Sequence, residues 1–256
     1  MLQTEIKEGV ATIWMNRPEV HNAFDDVLIA ALTAELRRLE QLPEARVIVL
    51  AANGKSFSAG ADLNWMQRMA KYSREENLRD AMALANLMRT LDGLTKPTVA
   101  RVQGAAFGGG VGLVACCDIA IAGTEAAFSL SEVRLGLIPS VISPYVIAAI
   151  GEREARRYFL SAERFDAAEA RRIGLVHEVV DSGALDATVA KIAGHLLKGG
   201  PQAQAAAKKL IADVSRRPMD DELSAETARR IAAIRVGDEG REGLAAFFEK
   251  RKLNWN

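Results

Sequence analysis

Read from its N-terminus, the chain alternates short apolar runs with longer stretches of helical period. Thr4–Glu8 and Val10–Met15 have strand character, and Gly9 marks a turn between them. From about Asp25 to Leu42 the apolar positions fall at Leu28, Leu32, Leu36 and Leu39, a helical spacing that stops just before Pro43. Val47–Leu50 is a β-branched run ending at an Asn53-Gly54 turn signal. Helical pattern resumes over Leu63–Ala70 and from about Arg74 to Leu94. Thr98–Val102 then reads as a buried strand, followed by a glycine-rich segment and by Ile119–Ala122. Strands separated by helix-length segments predict right-handed crossovers and a largely parallel sheet.

From about Ile142 the pattern turns mostly helical, over Ala148–Ser161, Ala167–Arg172, Leu185–Leu197, Pro201–Val214, Asp221–Ile234 and Asp238–Arg251, with Asp238 as N-cap. Only Val176–Val180 reads as a further strand. No Pro/Ser-rich linker separates the halves and no long repeat is visible, so one α/β domain with a helical C-terminal extension is expected. The 256 residues fit one large domain or two small ones at about 150 residues each.

Charge narrows the partners. The 33 Lys+Arg residues balance 33 Asp+Glu, which argues against a dedicated binder of nucleic acid or of membrane surfaces. A local pocket for a small anion remains compatible with that balance. Cys116 and Cys117 are adjacent in an apolar run with no further cysteine to pair with, so a disulfide framework is excluded and a reduced, cytoplasmic setting is expected. Both read as buried small hydrophobes, a reactive thiol being the minority alternative. The opening MLQTEIKEGV alternates charge and apolarity, unlike a secretory leader. Gly104 to Cys117 is uncharged but shorter than the ~20 residues a membrane span needs, and reads as buried interior.

Several familiar motifs fail. GGGVG at Gly108–Gly112 matches G-x-G-x-x-G in no register, and no phosphate-cradling P-loop sequence exists. His177-Glu178 lacks the second histidine of a zincin helix, and His21, His177 and His195 are scattered, so no metal is expected. No G-x-S-x-G nucleophile elbow occurs.

Two segments hold more promise. Phe57-Ser58-Ala59-Gly60-Ala61-Asp62-Leu63 lies between a strand and a helix, with small residues about Gly60 and with Asp62 where an N-cap belongs. Gly104 to Gly110 is a second strand-to-helix turn, rich in glycine. Such turns offer unpaired N–H groups and a positive helix end to an oxygen anion, and one N–H from each would make a two-donor oxyanion hole. Two tight turns with glycines for steric reasons are the alternative.

Together with Asn16-Arg17-Pro18, Asn22-Ala23, CCDIAIA, SEVRLGLIP, Gly174-Leu175-Val176 and the terminal Phe247-Phe-Glu-Lys250-Arg, these segments resemble the crotonase (enoyl-CoA hydratase/isomerase) superfamily over nearly the whole chain. The resemblance implies a crotonase-like ββα spiral over residues 1–195. Residues 196–256 would form a C-terminal helical trimerisation region that completes the coenzyme A site. It further implies a homo-trimer or a hexamer built as a dimer of trimers, an acyl-CoA substrate, and no cofactor beyond the coenzyme A of the substrate. Ala61 and Gly109 would supply the two backbone N–H groups. Ala59, Ala61, Asp62, Leu63 and Asn64 correspond to the stretch lining coenzyme A, and Phe247 and Lys250 to positions that reach the coenzyme A of a neighbouring subunit. A surface lysine is the plain alternative for Lys250.

Hydratases of the family carry two glutamates. Glu132 corresponds to the second, as general acid/base, whereas the first falls at Gly112. A one-carboxylate site is therefore implied. The usual glycine-rich turn after Pro139 is replaced by Ser140-Val-Ile-Ser143-Pro144-Tyr145, bordering the acyl end. The combination is most similar to bacterial hydratases of branched acyl-CoAs, the 3-methylglutaconyl-CoA enzymes of leucine breakdown and carboxygeranoyl-CoA enzymes. Their substrates carry a distal carboxylate, which, or a water held near Gly112, would assume part of the missing glutamate's role. Hydration of an α,β-unsaturated acyl-CoA is the leading expectation. A Δ3,Δ2-enoyl-CoA isomerase using Glu132 alone is the second, and a non-catalytic acyl-CoA-binding protein the third.

Overall fold

The computed structural model describes residues 1–253 and Trp255. Strands β1 (Leu2–Lys7) and β2 (Val10–Met15) form an antiparallel hairpin whose turn residues, Glu8 and Gly9, both have positive φ. That conformation matches the twist of the flanking strands. Helix α1 (Asp26–Gln41) follows, capped by the Asp25 carboxylate, and buries the Leu28, Leu32, Leu36 and Leu39 stripe.

The chain then winds as a spiral between two sheets. It passes through β3 (Val47–Ala52) and β4 (Ser56–Ser58) into α2 (Leu63–Met69) and α3 (Arg74–Asp92), then through β5 (Thr98–Val102) and β6 (Ala105–Phe107) into α4 (Gly109–Cys116). A third turn comprises β7 (Ile119–Gly123), β8 (Ala127–Ser129) and α5 (Ser143–Ser161), and β9 (Phe165–Asp166), α6 (Ala167–Arg172) and β10 (Glu178–Val180) complete it. The first strand of each turn joins a six-stranded sheet in the order β1-β2-β3-β5-β7-β10, parallel throughout except for the β1–β2 hairpin. The second strand joins a four-stranded sheet, β4-β6-β8-β9, in which the first three are parallel.

The central strands of the six-stranded sheet are covered on both faces, as parallel sheets require, while the β1 edge is largely exposed. Along β3, Ile48, Leu50 and Ala52 enter the main core. Val47 and Val49 pack instead with Leu185, Val189 and Ala193 of α7 (Leu185–Leu196). Helix α4 is buried against β6, α3 and α5, so the uncharged Gly104–Cys117 segment is interior. Helices α8 (Pro201–Val214), α9 (Asp221–Val236) and α10 (Asp238–Glu249) form an outer layer in which only Leu223 and Ala246 are buried. Ile231, Ile234, Leu244, Phe247 and Phe248 stand exposed on it. Among the described residues, no helix is long and apolar enough to cross a membrane.

The expected strands and helices are present, with four corrections. The second sheet was not predicted, because strands of two or three residues are too short to show a period. Helix α5 begins at Ser143, five residues before its apolar pattern, since Pro144 suits a first helical turn, and it breaks at Gly151 (φ 76°). Asp238 is the first helical residue of α10 and Gly237 its N-cap. The expected strand at Val176 starts only at Glu178, because the His177 ring, rather than a backbone carbonyl, accepts the hydrogen bond from the Ala120 N–H, while the His177 backbone N–H donates to the Ala120 carbonyl.

Candidate active site

Three segments leave the C-terminal ends of the adjacent parallel strands β4, β6 and β8, the end at which open α/β sheets bind ligands. They are the loop Ala59–Asp62, the Gly108–Gly109 turn into α4, and the single 3-10 turn that opens at Glu132. The second sheet therefore gathers what the sequence singled out.

Ala61 forms an isolated parallel bridge with Phe24. That bridge uses the N–H of Phe24, donated to the Gly60 carbonyl at 2.7 Å, and the N–H of Asp62, donated to the Phe24 carbonyl at 2.7 Å. The N–H of Ala61 lies on the opposite side and donates to nothing among the described residues. Gly109 is the first residue of α4, where an amide has no intrahelical acceptor. Its N–H likewise has no acceptor among the described residues, at the positive end of a buried helix.

The two loops are packed back to back. Gly60 has φ 91°, and a β-carbon on it would sit 3.3 Å from the Phe107 carbonyl oxygen. A β-carbon on Gly110 would sit only 2.7 Å from the carbonyl oxygen of Ser58. Phe24 joins both loops, because its backbone holds Ala61 while its ring lies where a β-carbon on Gly109 would be 3.0 Å from Cε2.

Arg17 fixes the loop from outside. Its guanidinium reaches the Asp25 carboxylate at 2.8 Å, the Asp62 carboxylate at 3.2 Å and the Ala23 carbonyl at 2.9 Å. Asp25 and Asp62 are the N-caps of α1 and α2, so one cation ties two helix starts together around the donor loop. Asn22, fully buried at φ 53°, donates to the Asn53 and Ser56 carbonyls and holds the approach to β4. The sequence reading placed Arg17 and Asn22 in a family motif without a role and passed over Phe24. An arginine spaced ahead of two cap aspartates was the available signal for the first.

Glu132 stands across from Gly108, where a β-carbon would meet its Oε1 at 3.2 Å. Its Oε2 is buried and has no hydrogen-bond partner among the described residues. Burial, with no cation to offset it, raises the carboxyl above the ordinary glutamate range. A carboxylate with one oxygen free and a raised affinity for protons is suited to taking up and returning one.

The other expected positions divide. Ala61, Leu63 and Asn64 are exposed and Ala59 is partly so, on one rim beside the donor loop. The Asp62 carboxylate is occupied with the amides of Asn64 and Trp65 and with Arg17, so its side chain serves the loop rather than a ligand. Phe247 and Lys250 lie at the end of α10, on the outer helical layer that α10 forms with α8 and α9, away from the strand-end loops. Cys116 and Cys117 are buried, and burial pushes both thiols well up, which disposes of a reactive thiol. Gly112 faces Ile142 and Met88 rather than a space for water.

Comparison with known proteins agrees with this architecture. The sequence profile of the enoyl-CoA hydratase/isomerase family matches residues 5–256. The crotonyl-CoA hydratase of Syntrophomonas wolfei is 32% identical over 254 residues, which cover 98% of this chain and 96% of the relative. The 2,3-dehydroadipyl-CoA hydratase of Escherichia coli is 31% identical, covering 96% and 94%. A crystal structure of an enoyl-CoA hydratase from Shewanella pealeana superposes with a TM-score of 0.97 at 49% identity, covering 99% of this chain and 95% of that one. With matches that run nearly end to end and a spiral fold in common, the chain belongs to the enoyl-CoA hydratase/isomerase family of enzymes.

Proposed function

We propose that the protein hydrates the double bond of an α,β-unsaturated acyl-CoA with Glu132 as its one acid/base. The observation that carries this reading is the Glu132 carboxyl, with its Oε2 buried and unpartnered, placed across from two loops that each present a backbone N–H with no acceptor among the described residues. The thioester oxygen accepts from the N–H groups of Ala61 and Gly109. Water adds at C3, its oxygen forming the new bond while Glu132 takes one of its protons. The π electrons move toward the thioester oxygen, where the two donors stabilise the charge by about 3 kcal/mol each. Glu132 then returns the proton to C2. These transfers need only the chain's own groups and the substrate.

Coenzyme A would lie along the exposed rim of Ala59, Leu63 and Asn64. Phe247 and Lys250 of a neighbouring subunit would close over it in a trimer or a dimer of trimers, for which the bare apolar layer of α9 and α10 offers the contact surface. A branched acyl group with a distal carboxylate, of the 3-methylglutaconyl type, is the preferred substrate in this reading. The dicarboxylic substrate named for the Escherichia coli relative supports a carboxylate at the acyl end.

A second reading, Δ3,Δ2-isomerisation, is favoured by one observation: apolar side chains fill the space beside Gly112, and shuttling a proton between C2 and C4 needs no water. Supplying crotonyl-CoA, 3-methylglutaconyl-CoA and a 3-enoyl-CoA in turn separates the readings. Loss of conjugated-thioester absorbance that Glu132→Gln abolishes is the expected result. Hydration that survives Glu132→Gln sinks the mechanism, a gain of absorbance from the 3-enoyl-CoA identifies the isomerase, and binding without turnover identifies a carrier.

A further inference from the structure

Gly108, at the N-cap of α4, and Gly112, one turn on, both face the segment that runs from Glu132 into α5. Glu132 stands over Gly108. Over Gly112 stands Ile142, the N-cap of α5, which is 3% exposed. A β-carbon on Gly112 would lie 2.3 Å from Ile142 Cγ2, 2.9 Å from Ile142 Cβ and 3.2 Å from Met88 Cε. Rotation about χ1 could move Cγ2 away, but Cβ is fixed to the backbone. Even a methyl group at position 112 therefore requires α5 to shift, and a close-packed core resists such shifts. Any side chain at 112 therefore meets occupied space at its first atom.

We propose that Ile142 is the residue that restricts this site to one carboxylate. The inference rests on Glu132 being the acid/base proposed above. It adds that the restriction is set on α5 and not only by the glycine at 112. With glycine at 142, two of the three nearest atoms are removed and the third is the flexible end of Met88, so a carboxylate at 112 gains room beside Glu132. That carboxylate would take a proton from water as the water oxygen bonds to C3, while the Glu132 carboxyl gives its proton to C2. Atoms and charge balance without another reactant.

Two measurements test this. In a stability cycle, Gly112→Ala should lower Tm by about 5 °C or more in the native background and by less than half as much alongside Ile142→Gly. In the activity test, Gly112→Glu alone should not raise crotonyl-CoA hydration. Gly112→Glu with Ile142→Gly should exceed Ile142→Gly alone by about tenfold or more and add a second ionisation to the pH–rate profile. An equal Tm loss in both backgrounds overturns the proposal. So does a folded double variant that binds crotonyl-CoA by calorimetry yet hydrates it no faster than Ile142→Gly. If Glu132→Gln leaves the native turnover intact, the functional reading fails, and the stability cycle still judges Ile142.

Discussion

The six-stranded and four-stranded sheets are built from the same spiral turns and do different work. Strands of the larger sheet run to six residues, and β3 is buried along its whole length, with one face in the main core and the other under α7. Those of the smaller sheet have two or three residues, too few to anchor a fold by themselves, and their ends deliver Ala61, Gly109 and Glu132 to one place. One sheet stores stability and the other converts it into position. Substitutions in the first should lower Tm and spare turnover, and substitutions at the ends of the second should lower turnover without lowering Tm.

Glu132→Gln is the sharpest way to break that contrast. It should lower kcat/KM by about 10²–10⁴-fold while raising Tm at pH 7. Burial raises the Glu132 carboxyl in the folded chain. The folded state therefore holds its proton longer than the unfolded state does, and stability falls as pH rises from the unfolded value, about 4.3, through the raised one. The thermal gain of the variant should accordingly vanish below pH 4, as thermal melts across pH would read. A Tm loss at pH 7 would mean that the carboxylate is a structural group.

Gly110→Ala ranks next. Its β-carbon would press on the Ser58 carbonyl and part the two donor loops, with a loss of about 10²–10³-fold in kcat and little change in KM. Arg17→Leu should affect both quantities. It leaves the Asp25 and Asp62 carboxylates without their cation, at a cost of about 2–3 kcal/mol by chemical denaturation, and loosens Ala61 enough to cost about tenfold in kcat. The smallest effect belongs to Ile121→Val, buried in β7 against α7. It should cost about 1 kcal/mol, lowering Tm by about 2–4 °C with kinetics unchanged. A kinetic defect there would show that the sheets are not separable.

The same division governs what the sequence reveals. The larger sheet announces itself, since Val47–Leu50 and Thr98–Val102 are dense β-branched runs between helices with clear stripes. The smaller sheet is hidden, because Ser56–Ser58 and Ala105–Phe107 are three-residue strands, each with one phenylalanine among small residues, too short to show a period, and their pairing partners lie tens of residues away. The site was legible through chemistry instead. Asp62 was recognisable as a cap, the glycines marked close approach, and Glu132 stood in a segment with family character. What no local pattern could give was the third dimension: that Phe24 touches both donor loops, that Arg17 spans two caps, and that Ile142 sits over Gly112. Each of these depends on a contact between positions 30 or more residues apart in the chain.

Phe24 has an implication for how such an enzyme can change. Because one residue sets the position of Ala61 through its backbone and of Gly109 through its ring, the two amides form a gauge whose spacing does not depend on whatever binds beyond them. If the proposed function holds, the acyl end, which it places against α5 and the Ser140–Tyr145 turn, can be rewritten by substitution without retuning the gauge. A chain organised this way can exchange one acyl group for another in few mutational steps, each judged on fit alone, while the chemistry common to all thioesters stays protected.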